Sequence, residues 1–441
     1  MMNDSISEVL RFVQEHDVKF VRLAFCDLLG VQKNLSVPAT ELPRIFEYGA
    51  SFDASVVEGF GNVDRSDLFL MPECSTLSIL PWRPSHGRVM RLFCSVKNPD
   101  GSDFLGDSRN LLKQAVQRCA DLGYFCRIGT ECEFYLFRTN ADGNPTREPF
   151  DHGTYCDIAP LDKGENVRRD ICLTLEKMET QPESSHHERG PGQNEIDFRY
   201  SDPLSAADNF MTFKWVVKSI AAQNGLFASF LPKPFLDNSG NGMHINLSLA
   251  KGGKNLFKTS GPDHSESSES FIAGILERVP EITAFLNPLT NSYHRFGNYE
   301  APKYVTWSHQ NRSQLIRIPA SVGEYSRMEL RSPDPACNPY LAFALLIHAG
   351  LDGIEQKLTL TPPCNQNLYE ADAYIREHGI LSLPGQLSEA LELAAQSEFV
   401  RRVLPEDTLR KYLFCKRREW ECYEQSNNRH QFEMDTYFHT V

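Results

Sequence analysis

Two rhythms run along the chain: a period of two, which marks half-buried strands, and a period near 3.6, which marks amphipathic helices. Ile6, Val9, Leu10 and Val13 keep the helical spacing, so the first residues read as a packed amphipathic helix. Residues 18–37 then alternate in strand fashion about a Leu29-Gly30 turn, and "GRVMRLFCSV" at 87–96 supplies another strand. Together they predict a small mixed sheet. At "NPDGSDFLGDSRN" the rhythm stops in a polar, glycine-rich linker, and Asp107 or Ser108 is placed to cap a helix whose apolar positions are Leu111, Leu112, Ala115, Val116 and Cys119. A domain boundary near residue 103 follows, with one domain over 1–103 and a larger one over 104–441. Beyond it strands and helices alternate irregularly. "ITAFL", "PYLAFALLIHAGLDGI", "LSEALELAAQ" and "DTLRKYLFCKRREWECYEQ" read as helices, and "SGPDHSESSES" at 260–270 reads as a polar surface loop. The class is α+β.

Four strand segments share one peculiarity. Residues two apart on a strand face the same way, so Glu131 and Glu133 of "GTECEFYLF" share a face opposite Cys132, Phe134 and Leu136. Glu195, Asp197 and Arg199 line up in "QNEIDFRY", His244, Asn246 and Ser248 in "GMHINLSLA", and Arg327, Glu329 and Arg331 in "SRMELRS". Any one of these faces, taken alone, is the solvated side of an antiparallel strand. An ordinary solvated face favours Thr, Lys and Ser, however, whereas these collect Glu, His and Arg. One sheet presenting all four inward would build a polar cavity.

Carboxylates packed that closely raise one another's pKa unless a cation sits among them. Ligands that are nearly all carboxylate, with one imidazole and no thiolate, suit Mg2+ or Mn2+ rather than zinc. Arg295, Arg312, Arg317, Arg327 and Arg331 then call for phosphate and carboxylate partners. Divalent metal, phosphate and carboxylate together describe ATP-driven activation of an acid. In "HHERGPGQNEID", at 186–197, the Pro-Gly turn folds the chain back so that Glu188 and Glu195 can meet at one ion, with Glu133 as a third ligand. His187 reads as a packed or capping histidine, and His186 is balanced between that role and the ion.

Composition removes several classes. Asp and Glu outnumber Lys and Arg by 58 to 45, a formal charge of −13, and no basic cluster interleaved with aromatics offsets it, so nucleic acid and anionic membranes are excluded as partners. The longest apolar run, Tyr340 to Ile347, ends at His348 and is too short to span a bilayer. Twelve cysteines without a CxxC pair, several of them (Cys94, Cys132, Cys172) inside apolar patterns, indicate free thiols and a reducing cytoplasm.

"GTECEFYLF", "HHERGPGQNEID", "KPFLDNSGNGMHINLSL", "NRSQLIRIP" and "RMELRSPDPACNPYLAFALLIHAGLDGI" occur in an order and spacing that resemble the type I glutamine synthetase family. The likeness extends upstream to "SFDASVVEGF" and "RSDLFLMPE" and downstream to "LPGQLSEALE" and "KRREWECYE". It implies a β-grasp-like N-terminal domain and a catalytic domain whose curved antiparallel sheet, a half-barrel backed by helices, holds two Mg2+ or Mn2+ ions. By position, Glu133, Glu188 and Glu195 would hold one ion, and Glu131, His244 and Glu329 the other. The resemblance further implies ATP as a substrate facing Asn246, Ser248, Arg317 and Arg327, glutamate held by Gly240, Arg295 and Arg331, and Arg312 beside the transferring phosphoryl group. Asp53 would deprotonate ammonium, Glu300 in "NYEAP" would close over the intermediate, and Asp67 would join Asp53 from the neighbouring subunit of a dodecamer of two hexameric rings.

The chain departs from the family pattern at three places. Ser239 stands where an Asn is usual, the flap "HRFGNYEAP" is one residue short, and Arg189 replaces a small apolar residue beside a metal ligand. Each bears on which amine is accepted. Glutamine synthesis from glutamate and ammonia leads, a γ-glutamyl ligase for a larger amine or polyamine is its rival, and a non-catalytic homologue and a metal-dependent hydrolase stand further off. "NLYE" at 367–370 resembles a segment that is adenylylated in one branch of the family, but Tyr369 is expected to be an ordinary surface-loop tyrosine.

Overall fold

The computed structural model describes residues 2–61, 63, 65–258, 265–321 and 323–441. After the helix Met2–Glu15, strands Val18–Cys26 and Gln32–Pro38 form the antiparallel hairpin foreseen about Leu29-Gly30. Val18–Cys26 then pairs in parallel with Arg88–Lys97, and the sheet continues through Asp67–Pro72 to Ala50–Asp53. This is the mixed sheet of a β-grasp domain. The two faces of its central strands serve two cores. Val21, Leu23, Met90 and Leu92 pack under Val9, Val13, Leu42 and Ile45, whereas Ala24, Cys26, Val89 and Phe93 turn into the core of the larger domain. Burial on both faces is why "GRVMRLFCSV" is almost continuously apolar.

The larger sheet runs in the order Trp307–His309, Ile316–Ile318, Met328–Leu330, Met243–Lys251, Tyr124–Thr139, Gln193–Phe198, Pro182–His187, and it curls into a half-barrel. Its four central strands are the four segments with the unusual acidic face. The opposite face buries Cys132, Phe134, Leu136, Ile245, Leu247, Leu249, Met328 and Leu330 in one core with the helices Ser108–Asp121, Pro203–Gln223, Glu266–Leu286 and Pro339–Gln356. With one face committed to that core, a slip of one residue would drive the carboxylates into it.

Helix starts follow side-chain caps. Asp107, rather than Ser108, caps Ser108–Asp121 by accepting from Arg109 N, and Asn338 caps Pro339–Gln356. The polar segment at 260–270 is only partly described. Residues 260–264 lie outside the described residues, while Ser265 caps a helix beginning at Glu266, so the expected loop is helical from there. The cap and the acidic first turn, Glu266 and Glu269, account for that polarity. Helices Glu266–Leu286 and Pro339–Gln356 meet backbone to backbone: a Cβ at Gly353 would fall 2.0 Å from the Ser270 carbonyl oxygen. All twelve cysteines are free thiols, and no helix among the described residues is long and apolar enough to cross a membrane.

Candidate active site

Strand register brings the acidic face together. Across the antiparallel pairs Glu195 lies opposite Glu133, Asp197 and His244 each lie opposite Glu131, and Asn246 and Arg317 each lie opposite Glu329. Like charges directly opposite on a ladder destabilise a sheet, so the arrangement calls for cations. The hairpin supplies Glu188 as expected: its amide donates to the Gln193 carbonyl at 2.8 Å, closing the turn that returns the chain to Glu195. Glu131, Glu133, Glu188, Glu195, Asp197 and His244 line a cavity of about 760 Å3, with Arg295, Glu300, Arg312, Arg317 and Arg331 on its other walls.

Overlapping groups of donors on this face are compact enough for an ion. Ligand atoms of Glu131, His244 and Glu329 lie within 4.8 Å of one another, as do those of Glu133, Glu195 and His244, and those of His186, Glu188 and Glu195. The sets are carboxylate oxygens with imidazole and no thiolate, which fits a hard divalent cation. His186 points to the ion side of its two readings, with Nε2 at 3.6 Å from Glu195 and 4.0 Å from Glu188. His187 is the buried, packed histidine expected: Nε2 lies 2.8 Å from Asp151 Oδ1, and Nδ1 donates to the Glu188 carbonyl at 2.5 Å. Asp151 also accepts from the amides of Gly153, Lys163 and Gly192, so this unit pins both ends of the turn that carries Glu188.

The electrostatics record the crowding. Burial and the charge of Glu188 push the Glu133 carboxyl up to about 8. Burial and Glu131 push Asp197 up to about 7, and burial with Glu133 and Asp197 raises Glu195. Glu131 is buried as well, yet hydrogen bonds from His244 and Asn246 and the charge of Arg327 bring it down to about 2. Glu133 also accepts from Gly242 N at 2.8 Å and Gln193 Nε2 at 3.0 Å, and the same Gln193 amide reaches the Gly240 carbonyl at 3.1 Å.

The arginines divide by depth. Arg331 and Arg317 both grip the fully buried Glu329, Arg331 Nη1 at 2.6 Å and Arg317 Nε at 2.6 Å. Arg295 is buried beneath Gly240 and donates to the Ser332 carbonyl at 2.9 Å; a Cβ at Gly240 would come within 2.7 Å of its side chain, so only glycine admits this approach. Arg312 is exposed at the mouth, 3.9 Å from Glu300. Tyr299 and Glu300 adopt φ of +48° and +65°, a left-handed pair of non-glycine residues that holds strain in the flap. Tyr299 is fastened by its hydroxyl to the Asp237 carbonyl at 2.6 Å, with the Lys233 ammonium 4.4 Å from the ring centre.

Asn246, Ser248 and Arg327 line a second cavity of about 190 Å3 that joins the first at Glu131, Ser184 and Asp197. Arg327 Nε donates to Asn246 at 2.8 Å. Tyr200 and Tyr325 meet edge-on here with ring centres 6.3 Å apart, and the Arg127 guanidinium lies 5.2 Å from Tyr200. No sequence signal marked these three, because Tyr325 comes from a loop that only the fold brings beside Tyr200. Gln193 likewise went unmarked, although it stands inside a quoted motif.

Two placements differ from expectation, those of Arg199 and Tyr369, whereas Asp53 and Asp67 sit as residues offered to a neighbouring subunit would. Arg199 continues the alternation of its strand but turns outward, donating to Gln181 Oε1 at 3.2 Å, because the strand ends at Phe198. Tyr369 is not an ordinary surface tyrosine: it is half-buried, its hydroxyl is enclosed without a hydrogen-bond partner, and burial raises the phenol to about 12. It shares an outer cavity of about 520 Å3 with Glu300, Arg312 and Arg189. Asp53 and Asp67 face each other across their strands on the N-terminal sheet, exposed, and do not line this chain's own cavity.

Comparison with known proteins follows the same lines. The glutamine synthetase β-grasp domain matches residues 17–99, and the glutamine synthetase catalytic domain matches residues 105–437. The chain is 48% identical over 436 residues to a glutamine synthetase of Methanosarcina mazei, with 98% of this chain and 97% of the relative covered. It is 45% identical over 442 residues to that of Thermus thermophilus, covering 98% and 99%. Among solved structures, a GmaS/ADP complex superposes with a TM-score of 0.86 at 31% identity, covering 97% of this chain and 98% of that one. An apo GmaS without ligand gives 0.85 at 31% identity and the same coverage. With both family domains matched in sequence order over nearly its whole length, the chain belongs to the glutamine synthetase family.

Proposed function

We propose that the chain is an ATP-dependent ligase that forms glutamine from glutamate and ammonia through γ-glutamyl phosphate. The observation that carries this reading is the junction of two cavities, one walled by carboxylates and arginines and one by an aromatic pair, at Glu131 and Asp197. Glu133, Glu188 and Glu195 would hold one Mg2+ or Mn2+, and Glu131, His244 and Glu329 the other. Bound there, such ions neutralise the phosphates of ATP and the charge that develops on the transferring group.

The remaining roles belong to this chain's own side chains. Tyr200, Tyr325, Asn246 and Ser248 receive the nucleoside, and Arg317 and Arg327 meet its phosphates. Arg295 behind Gly240, together with Arg331, fits the carboxylates of glutamate. A glutamate γ-carboxylate oxygen attacks the γ-phosphorus, ADP leaves, and Arg312 spreads the charge of the phosphoryl group. Asp53 of a neighbouring subunit takes a proton from ammonium. The ammonia formed attacks the acyl carbon, phosphate departs, and Glu300 in the flap keeps water from competing. The exposed position of Asp53 and Asp67 away from this chain's own cavity supports sites shared between subunits of a cytoplasmic dodecamer.

A γ-glutamyl ligase for a larger amine remains the second reading. Ser239 and the outer cavity beyond Glu300 and Arg312, which Tyr369 lines, favour it. Steady-state ADP release with ammonium, putrescine, ethanolamine and simple alkylamines separates the two. Ammonium is expected to give the highest kcat/KM, and an alkylamine or polyamine that exceeds it tenfold would reverse the order.

A further inference from the structure

A cavity of about 370 Å3 that shares no lining residue with the acidic cavity lies where the Leu29–Asn34 hairpin, the helix Pro203–Gln223 and the last residues of the chain converge. Its walls are unusual in charge. Lys214 and Lys218, one helical turn apart, and Lys416 all line it, against one acidic side chain, Glu419. Lys416 is buried and paired with Glu419 at 2.9 Å. The other two have no carboxylate partner: Lys214 Nζ donates to the Pro335 carbonyl at 2.8 Å and Lys218 Nζ to the Thr440 carbonyl at 3.2 Å, and both lie near the Phe230 ring, at 5.4 and 6.0 Å from its centre.

Like charges at this spacing on a helix repel each other, and partial burial removes the water that would screen them. Burial and the charge of Lys214 pull the Lys218 ammonium down to about 7, and burial lowers Lys214 as well. The rest of the lining is suited to an organic body. Trp215 forms one wall, held edge-on by Trp82 with ring centres 5.2 Å apart, and Leu29 of the hairpin lines the same cavity. The side-chain amide oxygen of Gln32, on the same hairpin, is enclosed without a hydrogen-bond partner. An enclosed polar atom of this kind calls for a donor.

We infer that this cavity is a binding site for a small organic anion, a carboxylate or phosphate on an aromatic or apolar body that also carries a hydroxyl or amino donor. The anion sits between Lys214 and Lys218, the body lies on Trp215, and the donor meets Gln32. Nothing in this assignment depends on the reaction proposed for the acidic cavity.

Calorimetric titration of the full-length protein tests it, with 4-hydroxybenzoate and phenyl phosphate as probes and methyl 4-hydroxybenzoate as the uncharged control. Saturable binding of at least one anion is expected, at least tenfold tighter than the ester. Lys218→Gln should weaken it at least tenfold, and Lys214→Met, checked for an intact thermal transition, should do the same. Arg327→Ala, in the nucleotide cavity, should leave it within twofold. Absence of saturable heat from both anions, equal affinity for the ester, or binding unchanged in Lys218→Gln would overturn the assignment. So would loss confined to Arg327→Ala, which would put the ligand in the nucleotide cavity.

Discussion

Removing divalent cations should make this protein less stable as pH rises from 5 to 8, the reverse of ordinary acid denaturation. Glu133 supplies one reason, beside Glu195, which burial and its acidic neighbours also raise. The Glu133 carboxyl ionises near 4.5 in an unfolded chain and is pushed up to about 8 in the fold. Below 4.5 both states hold the proton. Between 4.5 and 8 the unfolded chain has released it while the folded chain keeps it, so each step upward favours unfolding. At 1.36 kcal/mol per tenfold, the full span corresponds to ~5 kcal/mol. With an unfolding entropy of roughly 2.1 cal/mol/K per residue, that is a fall of ~5 °C in Tm for a chain of this length.

Asp197, raised from 3.8 to about 7, acts in the same direction over a slightly lower window. Glu131 does not oppose them, because its depressed carboxyl contributes stability that is lost only as pH falls through about 2. Mn2+ should replace the protons, so its apparent affinity should rise with pH and the loaded protein should show a nearly level Tm. The assay is scanning calorimetry of chelator-treated and Mn2+-saturated protein at half-unit intervals from pH 5 to 8.5. Glu133→Gln should flatten the metal-free profile and weaken Mn2+ binding. A metal-free Tm that rises or stays level across this range would refute the claim that uncompensated carboxylates crowd one face.

Three further outcomes follow from the geometry. Glu329→Ala leaves Arg317 and Arg331 without their shared partner; Mn2+ titration should show one site lost and kcat should fall at least a hundredfold, with ~3 kcal/mol of destabilisation from the unpaired buried charge. Gly353→Val puts side-chain atoms where the Ser270 carbonyl lies, so the two core helices must separate, at ~1–3 kcal/mol measured by denaturant unfolding. Buried Glu433 accepts from Thr290, Asn291 and His294 in the turn leading to Arg295; Glu433→Gln should raise KM for glutamate severalfold while kcat changes less than twofold.

The chain's local patterns were sufficient for the elements and for which side chains share a face. Period-two alternation marked Glu131 and Glu133, His244 and Asn246, and Arg327, Glu329 and Arg331, because the pleat obliges residues two apart to point alike. Asp107, the hairpin about Gly30 and the long apolar helix from Pro339 were legible for the same reason: each depends on neighbours within a few positions. The first turn of the helix Glu266–Leu286, whose end at "ITAFL" was legible, escaped because that capping turn is as polar as a loop.

What only the tertiary structure decided is which faces meet. Strand order and register set Glu195 against Glu133 and His244 against Glu131, pairings between residues far apart in the chain that no local rhythm encodes. The same holds for Tyr200 beside Tyr325, for Arg317 and Arg331 closing on Glu329, and for Lys214 and Lys218 lining one cavity with Leu29 and Gln32. Arg199, in phase with its neighbours yet turned to Gln181, marks the limit of the rule: alternation fixes a direction only while the strand lasts. Local steric preference determines how a segment is shaped, and burying the apolar faces in one shared core determines what that segment touches.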